Sequence, residues 1–251
     1  MLNRLREPLL RGLHALPLLL PSSCALCGRA GRMALCAACS RHHLANAVPR
    51  CACCALPLSA PSSESASGPE RCGACLAKPP SFDATIAACD YLPPLDQLVL
   101  GLKFGHRLAL APMMAASLRD AALRSSRLPM PDMLAAVPLG GKRLAERGFN
   151  QAVEIARPLA RHLGVPCLPR LLQRSRDTQA QSLLPHDERR RNVRDAFTLS
   201  TGAADMIAGA HVGIVDDVMT TGDTLDEVAA MLKRFGASRV TNYVFARTLP
   251  G

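Results

Sequence analysis

Hydrophobic and polar positions along the chain fall into two regimes that change near residue 80. From Phe82 onward, apolar residues recur with regular periods. ATIAACDYL (84–92) reads as a strand. PLDQLVLGLKFG (94–105) reads as a helix, with Leu95, Leu98, Val99 and Leu102 on one face. RLALAPMMAASLRDAAL (107–123) predicts a second helix, broken or begun at Pro112. MLAAVPL (133–139) is a short buried strand, and NQAVEIARPLARHLG (150–164) a helix that stops at Gly164. DAFTLS (195–200), HVGIVDDV (211–218) and SRVTNYVFAR (238–247) predict strands, with a helix over DTLDEVAAMLKRFG (223–236) between the last two. Strands alternating with helices predict an α/β domain over 79–251 with a mostly parallel sheet. Ligands of such sheets sit beyond the carboxyl ends of the strands.

Residues 22–78 have no sustained period and are rich in Cys, Pro and Ser. SAPSSESASGPE (59–70) within them is low in complexity and reads as a loop. Nine of the eleven cysteines lie between Cys24 and Cys75. Eight of them form four Cys-x2-Cys pairs: Cys24 and Cys27, Cys36 and Cys39, Cys51 and Cys54, Cys72 and Cys75. Four thiolates bind one zinc tetrahedrally, so eight predict two structural Zn2+ sites. The simplest arrangement places the first two pairs on one metal and the last two on the other, with a crossed arrangement or an iron–sulfur cluster as alternatives. Cys53 could exchange with a neighbour as ligand, and His42 or His43 could replace a cysteine. A closed four-cysteine site leaves no position for a substrate, which gives this module a folding or docking task.

The opening residues, 1–21, predict an amphipathic helix. Arginines precede a short apolar run there, as in an export signal, but Pro8, Pro17 and Pro21 interrupt it. No segment is long and apolar enough to span a bilayer, so no stable membrane insertion is expected and the reading is cytoplasmic. The formal net charge of +10 suits anionic partners such as phosphorylated metabolites or nucleic acid. Aromatic residues are only 3% of the chain, which counts against a protein gripping single strands mainly by stacking bases.

The chemistry concentrates in VGIVDDVMTTGDT (212–224). A strand ends in Asp216 and Asp217, and a loop of Thr220, Thr221, Gly222, Asp223 and Thr224 leads into a helix. Backbone N–H groups and the helix dipole make such a loop a phosphate site. The adjacent carboxylates would repel that phosphate, and suit the hydroxyl pair of a ribose instead. A second strand end carries VPLGGKRLAERGFNQA (137–152), read as a basic loop that supplies Lys142, Arg143 and Arg147. Guanidinium forks fit phosphate oxygens. Lys103 is one more cation within reach of the cleft. RSRDTQAQSLLPHDERRRNVRDAF (174–197) reads as a long loop, either a lid or a basic surface made of Arg189, Arg190, Arg191 and Arg194.

The 212–224 stretch resembles the signature of type I phosphoribosyltransferases. The whole chain resembles the ComF family of competence-associated phosphoribosyltransferase-like proteins. The resemblance rests on the N-terminal cysteine pairs, Lys103-Phe104, Lys142-Arg143, Arg147 to Gln151, then Thr178, Gln181, Arg189 and Asn192, and finally the acid pair and its loop. Ala55 departs from the pattern, standing where the family usually has glycine. The resemblance implies binding of phosphoribosyl pyrophosphate with Mg2+. Asp216 and Asp217 would hold the ribose, the threonine loop the 5-phosphate, and Arg143 and Arg147 the pyrophosphate. It also implies a part in DNA uptake, with single-stranded DNA and the uptake machinery as partners. Three readings follow: a phosphoribosyltransferase of unknown acceptor, a non-catalytic DNA-handling protein that uses the fold as a ligand-controlled switch, and a nucleic-acid binder gripping through its zinc module. Cys24 belongs to a metal site on this reading, which disfavours a glutamine-dependent amidotransferase.

Overall fold

A computed structural model describes residues 22–44, 48–58, 70–125, 128–174 and 196–250. The expected helix over 1–21, residues 59–69 of the expected 59–70 loop, and Thr178, Gln181, Arg189, Arg190, Arg191, Asn192 and Arg194 lie outside the described residues. The chain divides into two compact units, 1–46 and 47–251.

The first unit holds an antiparallel pair, β1 (Ser22–Ser23) and β2 (Ala30–Gly31), and helix α1 (Ala37–Leu44). Among its described residues, Cys24, Leu35 and Leu44 are buried.

The second unit begins with the later cysteine pairs, whose second knuckle opens α2 (Gly73–Ala77). It continues through β3 (Ala84–Asp90), α3 (Asp96–Lys103), α4 (Leu110–Arg124), β4 (Met133–Ala136), α5 (Gly141–Arg147) and α6 (Gln151–Leu163). A two-stranded antiparallel pair follows, β5 (Leu172–Arg174) with β6 (Phe197–Leu199). The chain ends with α7 (Ala204–Ile207), β7 (His211–Met219), α8 (Asp223–Arg234) and β8 (Arg239–Arg247). The main sheet has the order β3-β8-β7-β4, with every pairing parallel. Beside β4, Leu134 makes a further parallel bridge to Cys167.

Burial follows the sequence periods. Val212 and Ile214 of β7, and Val240 and Val244 of β8, join Val228 and Leu232 of α8 in one apolar cluster. Strand alternation leaves Val215, Tyr243 and Phe245 for the opposite face, which α4 and α6 cover with Met114, Leu118, Ile155 and Leu159. Each of these leucines is fully buried, worth roughly 2 kcal/mol relative to exposure. Gly213 allows the β7 backbone to approach its neighbours, because a Cβ there would lie 2.4 Å from Leu134. Pro112 sits in the first turn of α4, where its missing N–H costs nothing.

The segment read as a basic loop over 137–152 contains a helix instead. α5 has no buried residue, so it offers no apolar period by which sequence could announce it. Gly148, at φ 77°, ends α5, and the Asn150 side chain caps α6 by accepting from Ala152 N at 2.9 Å.

The later cysteine pairs are not appended to the sheet but share its core. Cys51, Cys53, Cys54, Ala55 and Cys75 belong to the same apolar cluster as Ile214, Val228 and Val244.

Candidate functional site

Because all four strands run the same way, their carboxyl ends gather at one edge, and the sequence-derived candidates are built on that edge. Asp216 and Asp217 are the sixth and seventh residues of β7. Consecutive strand residues alternate sides, and the pair divides accordingly. Asp216 lines a small cavity of about 50 Å³ with Val218, Met219, Thr220, Gly222, Thr224 and Leu225. Asp217, 3% exposed, lies with its Oδ2 2.6 Å from Lys103 Nζ at the end of α3.

The electrostatics of the two acids differ. The Asp216 carboxyl is set among protein atoms, although part of the residue remains open to solvent. That desolvation, and next the Asp217 charge, push its pKa well above the usual carboxylate range, with Lys103 opposing. Burial alone would lower the Lys103 pKa, but the Asp217 carboxylate, with Asp216 and Tyr91 adding, outweighs it and the net shift is upward.

The threonine loop turns on Gly222, whose φ of 94° opens α8 in the left-handed region. A Cβ at this position would stand 2.6 Å from Met219 Cε. Thr221 Oγ1 donates to Asp223 Oδ2 at 2.6 Å, fixing the first turn, where Asp223 and Asp226 complement the helix dipole.

Two further walls come from α3 and α5. The Arg147 guanidinium lies 5.4 Å over the ring of Phe104, and Nη1 donates to Gln151 Oε1 at 2.5 Å. Burial lowers the Arg147 pKa; the Asp217 charge opposes this and Arg143 adds to it, so all three side chains share one field. His106 meets Phe149 edge-on at 5.8 Å. The Asn150 Nδ2 donates to Val137 O at 3.0 Å, tying the Arg-Gly-Phe-Asn-Gln turn to the end of β4. Lys103, Arg143, Arg147, Asp216, Asp217 and the loop 220–224 therefore converge. Arg143 is placed by α5 rather than by a loop.

Both cysteine groups are assembled in the sequential arrangement. Cys24, Cys27, Cys36 and Cys39 bring their sulfurs within 4.8 Å of one another, as do Cys51, Cys54, Cys72 and Cys75. The separations Cys27–Cys36, 3.8 Å, and Cys54–Cys72, 3.6 Å, match the edge of a tetrahedron built on metal–sulfur bonds of about 2.3 Å. Backbone amides point at the sulfurs: Cys36 N lies 3.4 Å from Cys24 Sγ and Cys72 N 3.2 Å from Cys51 Sγ. The residues present fit structural zinc. Cys53 stays outside the group and directs its thiol to Phe82 O, and His42 and His43 pack on each other. Ala55 keeps the turn that glycine would make, at φ 57°.

Sequence reasoning missed Arg247. It closes the final strand, 6% exposed, and donates Nη1 to Met219 O at 3.1 Å, to Thr248 O at 2.7 Å and to Thr220 O. Its only signal is a charge ending an apolar strand.

Comparison with known proteins agrees with this anatomy. The phosphoribosyl transferase domain matches residues 150–249, and the double zinc ribbon domain matches residues 15–76. DNA utilization protein YhgH of Salmonella typhi is 37% identical over 238 residues, 92% of this chain and 100% of that protein. Competence protein F of Haemophilus influenzae is 33% identical over 182 residues, 71% of this chain and 79% of its own. Among solved structures, an adenine phosphoribosyltransferase is similar over 55% of this chain and 71% of its own, at 20% identity and a TM-score of 0.33. With a type I phosphoribosyltransferase-like domain and N-terminal zinc-ribbon modules, this chain belongs to the ComF family.

Proposed function

We propose that the cleft at the carboxyl edge of the sheet binds phosphoribosyl pyrophosphate with Mg2+, and that the chain acts in DNA utilization or uptake. The observation that carries the first half is the acid pair abutting the threonine–glycine loop. Asp216 shares a cavity with Thr220, Gly222 and Thr224, which suits a ribose diol beside its own 5-phosphate. Thr221 stands just before α8, and Asp223 and Thr224 open it, where backbone amides attract an anion. Asp217 with Lys103 completes the ribose side, and Arg143 and Arg147 provide cations for the pyrophosphate. Mg2+ would arrive on the pyrophosphate and neutralise part of its charge. If the ligand reacts, the acids orient the ribose and the arginines stabilise the departing pyrophosphate.

The second half rests on the relatives, which are named for DNA utilization and for competence. The formal charge of +10 suits a polyanionic partner. A DNA-handling role without turnover has an observation of its own: Phe104 is 67% exposed beside Arg147, an open ring on which a base could stack. We place such a protein in the cytoplasm, where phosphoribosyl pyrophosphate and incoming single strands meet.

Equilibrium dialysis with labelled phosphoribosyl pyrophosphate, with Mg2+ and then with excess EDTA, tests the ligand. Retention that EDTA abolishes supports the reading. Equal retention of ribose 5-phosphate and of free phosphate would contradict it.

A further inference from the structure

Arg247 joins the second cysteine site to the ligand loop. Besides Met219, Thr220 and Thr248, its guanidinium serves Cys54, whose carbonyl accepts from Nε at 2.9 Å. One buried side chain thus holds the backbone of a metal-site cysteine and the backbone entering the loop.

Two other links join the same regions. The Cys53 thiol reaches Phe82 O at 4.0 Å, and the Phe82 ring lies beneath Gly222, 3.9 Å from where a Cβ would stand. Ser81 N donates to Asp226 Oδ1 at 2.6 Å in the first turn of α8. The loop is therefore supported from the cysteine side at its entry, at its turning glycine and at the helix it opens. The support depends on the shape of the Cys51–Cys54 turn, which Ala55 N closes onto Cys51 O at 2.8 Å. Metal binding is what fixes a turn of this kind. Charge favours the same coupling. The hydrogen-bond partners of Arg247 among the described residues are neutral carbonyls. Four thiolates on one divalent ion carry net negative charge, and they stand beside that buried cation.

We propose that the second four-cysteine site sets the ligand affinity of the loop 218–224, with Arg247 as the positioning residue that transmits it. The module is then more than an appended ribbon: release of its metal slackens the loop and lowers affinity. This rests on the ligand reading above, so its test carries a readout that needs no ligand.

The experiment is a double-mutant cycle of Arg247→Lys and Cys72→Ser in the full chain. It measures zinc content, calorimetric affinity for Mg2+–phosphoribosyl pyrophosphate, and amide exchange in peptides covering 218–224. Lysine keeps the charge but cannot bridge the carbonyls of three segments. Arg247→Lys is expected to keep its zinc, lose at least tenfold in affinity and exchange faster in the loop. Cys72→Ser is expected to lose about one zinc per chain and to show the same loss and the same faster exchange. The double variant is expected to fall less than twofold below either single one. Independent, multiplying effects, or wild-type affinity and exchange in Arg247→Lys, would overturn the proposal. Exchange across 211–217 monitors the sheet; if Cys72→Ser exposes it, brief chelation of the wild type and of Arg247→Lys replaces that arm. Should the wild type bind no phosphoribosyl pyrophosphate, the ligand reading fails, and loop exchange alone decides the coupling.

Discussion

Lys103 Nζ stands 2.6 Å from Asp217 Oδ2, so a lysine ending one helix neutralises an acid buried near the end of a strand over a hundred residues later. The pair lets two adjacent carboxylates survive at one strand end. Replacing Lys103 by Met leaves Asp217 unpaired beside Asp216. We expect a loss of about 2–3 kcal/mol in urea unfolding at pH 7, at the low end for a broken buried pair because the lysine keeps some solvent contact. The raised Lys103 pKa makes the pair's contribution fully present below the lysine's unfolded value and lost as pH rises through the folded one. The wild type should therefore lose stability in strong alkali more steeply than Lys103→Met.

Asp216 works in the opposite sense. Its folded pKa lies above the unfolded value, so the native state binds the extra proton and stability falls as pH rises through that window. Asp216→Asn is expected to be at least as stable as the wild type at pH 7, and to flatten the pH dependence above the ordinary carboxylate range. Thermal unfolding across pH 4–8 checks both.

Gly222→Ala should damage the loop. The left-handed φ of 94° costs an alanine about 1–2 kcal/mol, and its methyl group meets Met219 Cε at 2.6 Å. We expect a total loss of about 2 kcal/mol or more and at least tenfold weaker ligand binding, read by urea unfolding and calorimetry.

Asn150→Ala removes the cap of α6 and the bond to Val137 O together. A loss of about 1–2 kcal/mol is expected, with the far-ultraviolet spectrum retained.

Two metal sites predict about two zinc ions per chain by atomic spectroscopy. Cys36→Ser and Cys54→Ser should each remove about one. A single zinc in the wild type would contradict the sequential arrangement of both groups.

The sheet and its long helices were legible because their burial is periodic, from Leu98, Val99 and Leu102 on α3 to Val212 and Ile214 on β7. Cysteine spacing carried the metal groups, and the acid pair with its loop carried the cleft. What sequence did not show has physical reasons. α5 buries nothing, so it has no period. Among the described residues, Arg247 donates to main-chain carbonyls, which leave no trace in side-chain patterns. Ala55 breaks the glycine rule of its turn yet holds φ 57°, because Arg50 bonds its carbonyl at 3.0 Å and its methyl is buried. The division of labour between Asp216 and Asp217 depends on what α3 brings to the opposite face of β7.

The central claim, that the acid pair and loop form a site for phosphoribosyl pyrophosphate, is tested most directly by Asp216→Asn, because folding and binding should part there. Calorimetric titration of the zinc-loaded wild type with Mg2+ and phosphoribosyl pyrophosphate should give saturable binding. The variant, no less stable, should bind at least tenfold more weakly. Equal binding by the two proteins, or none by a folded, zinc-loaded wild type, would contradict the account.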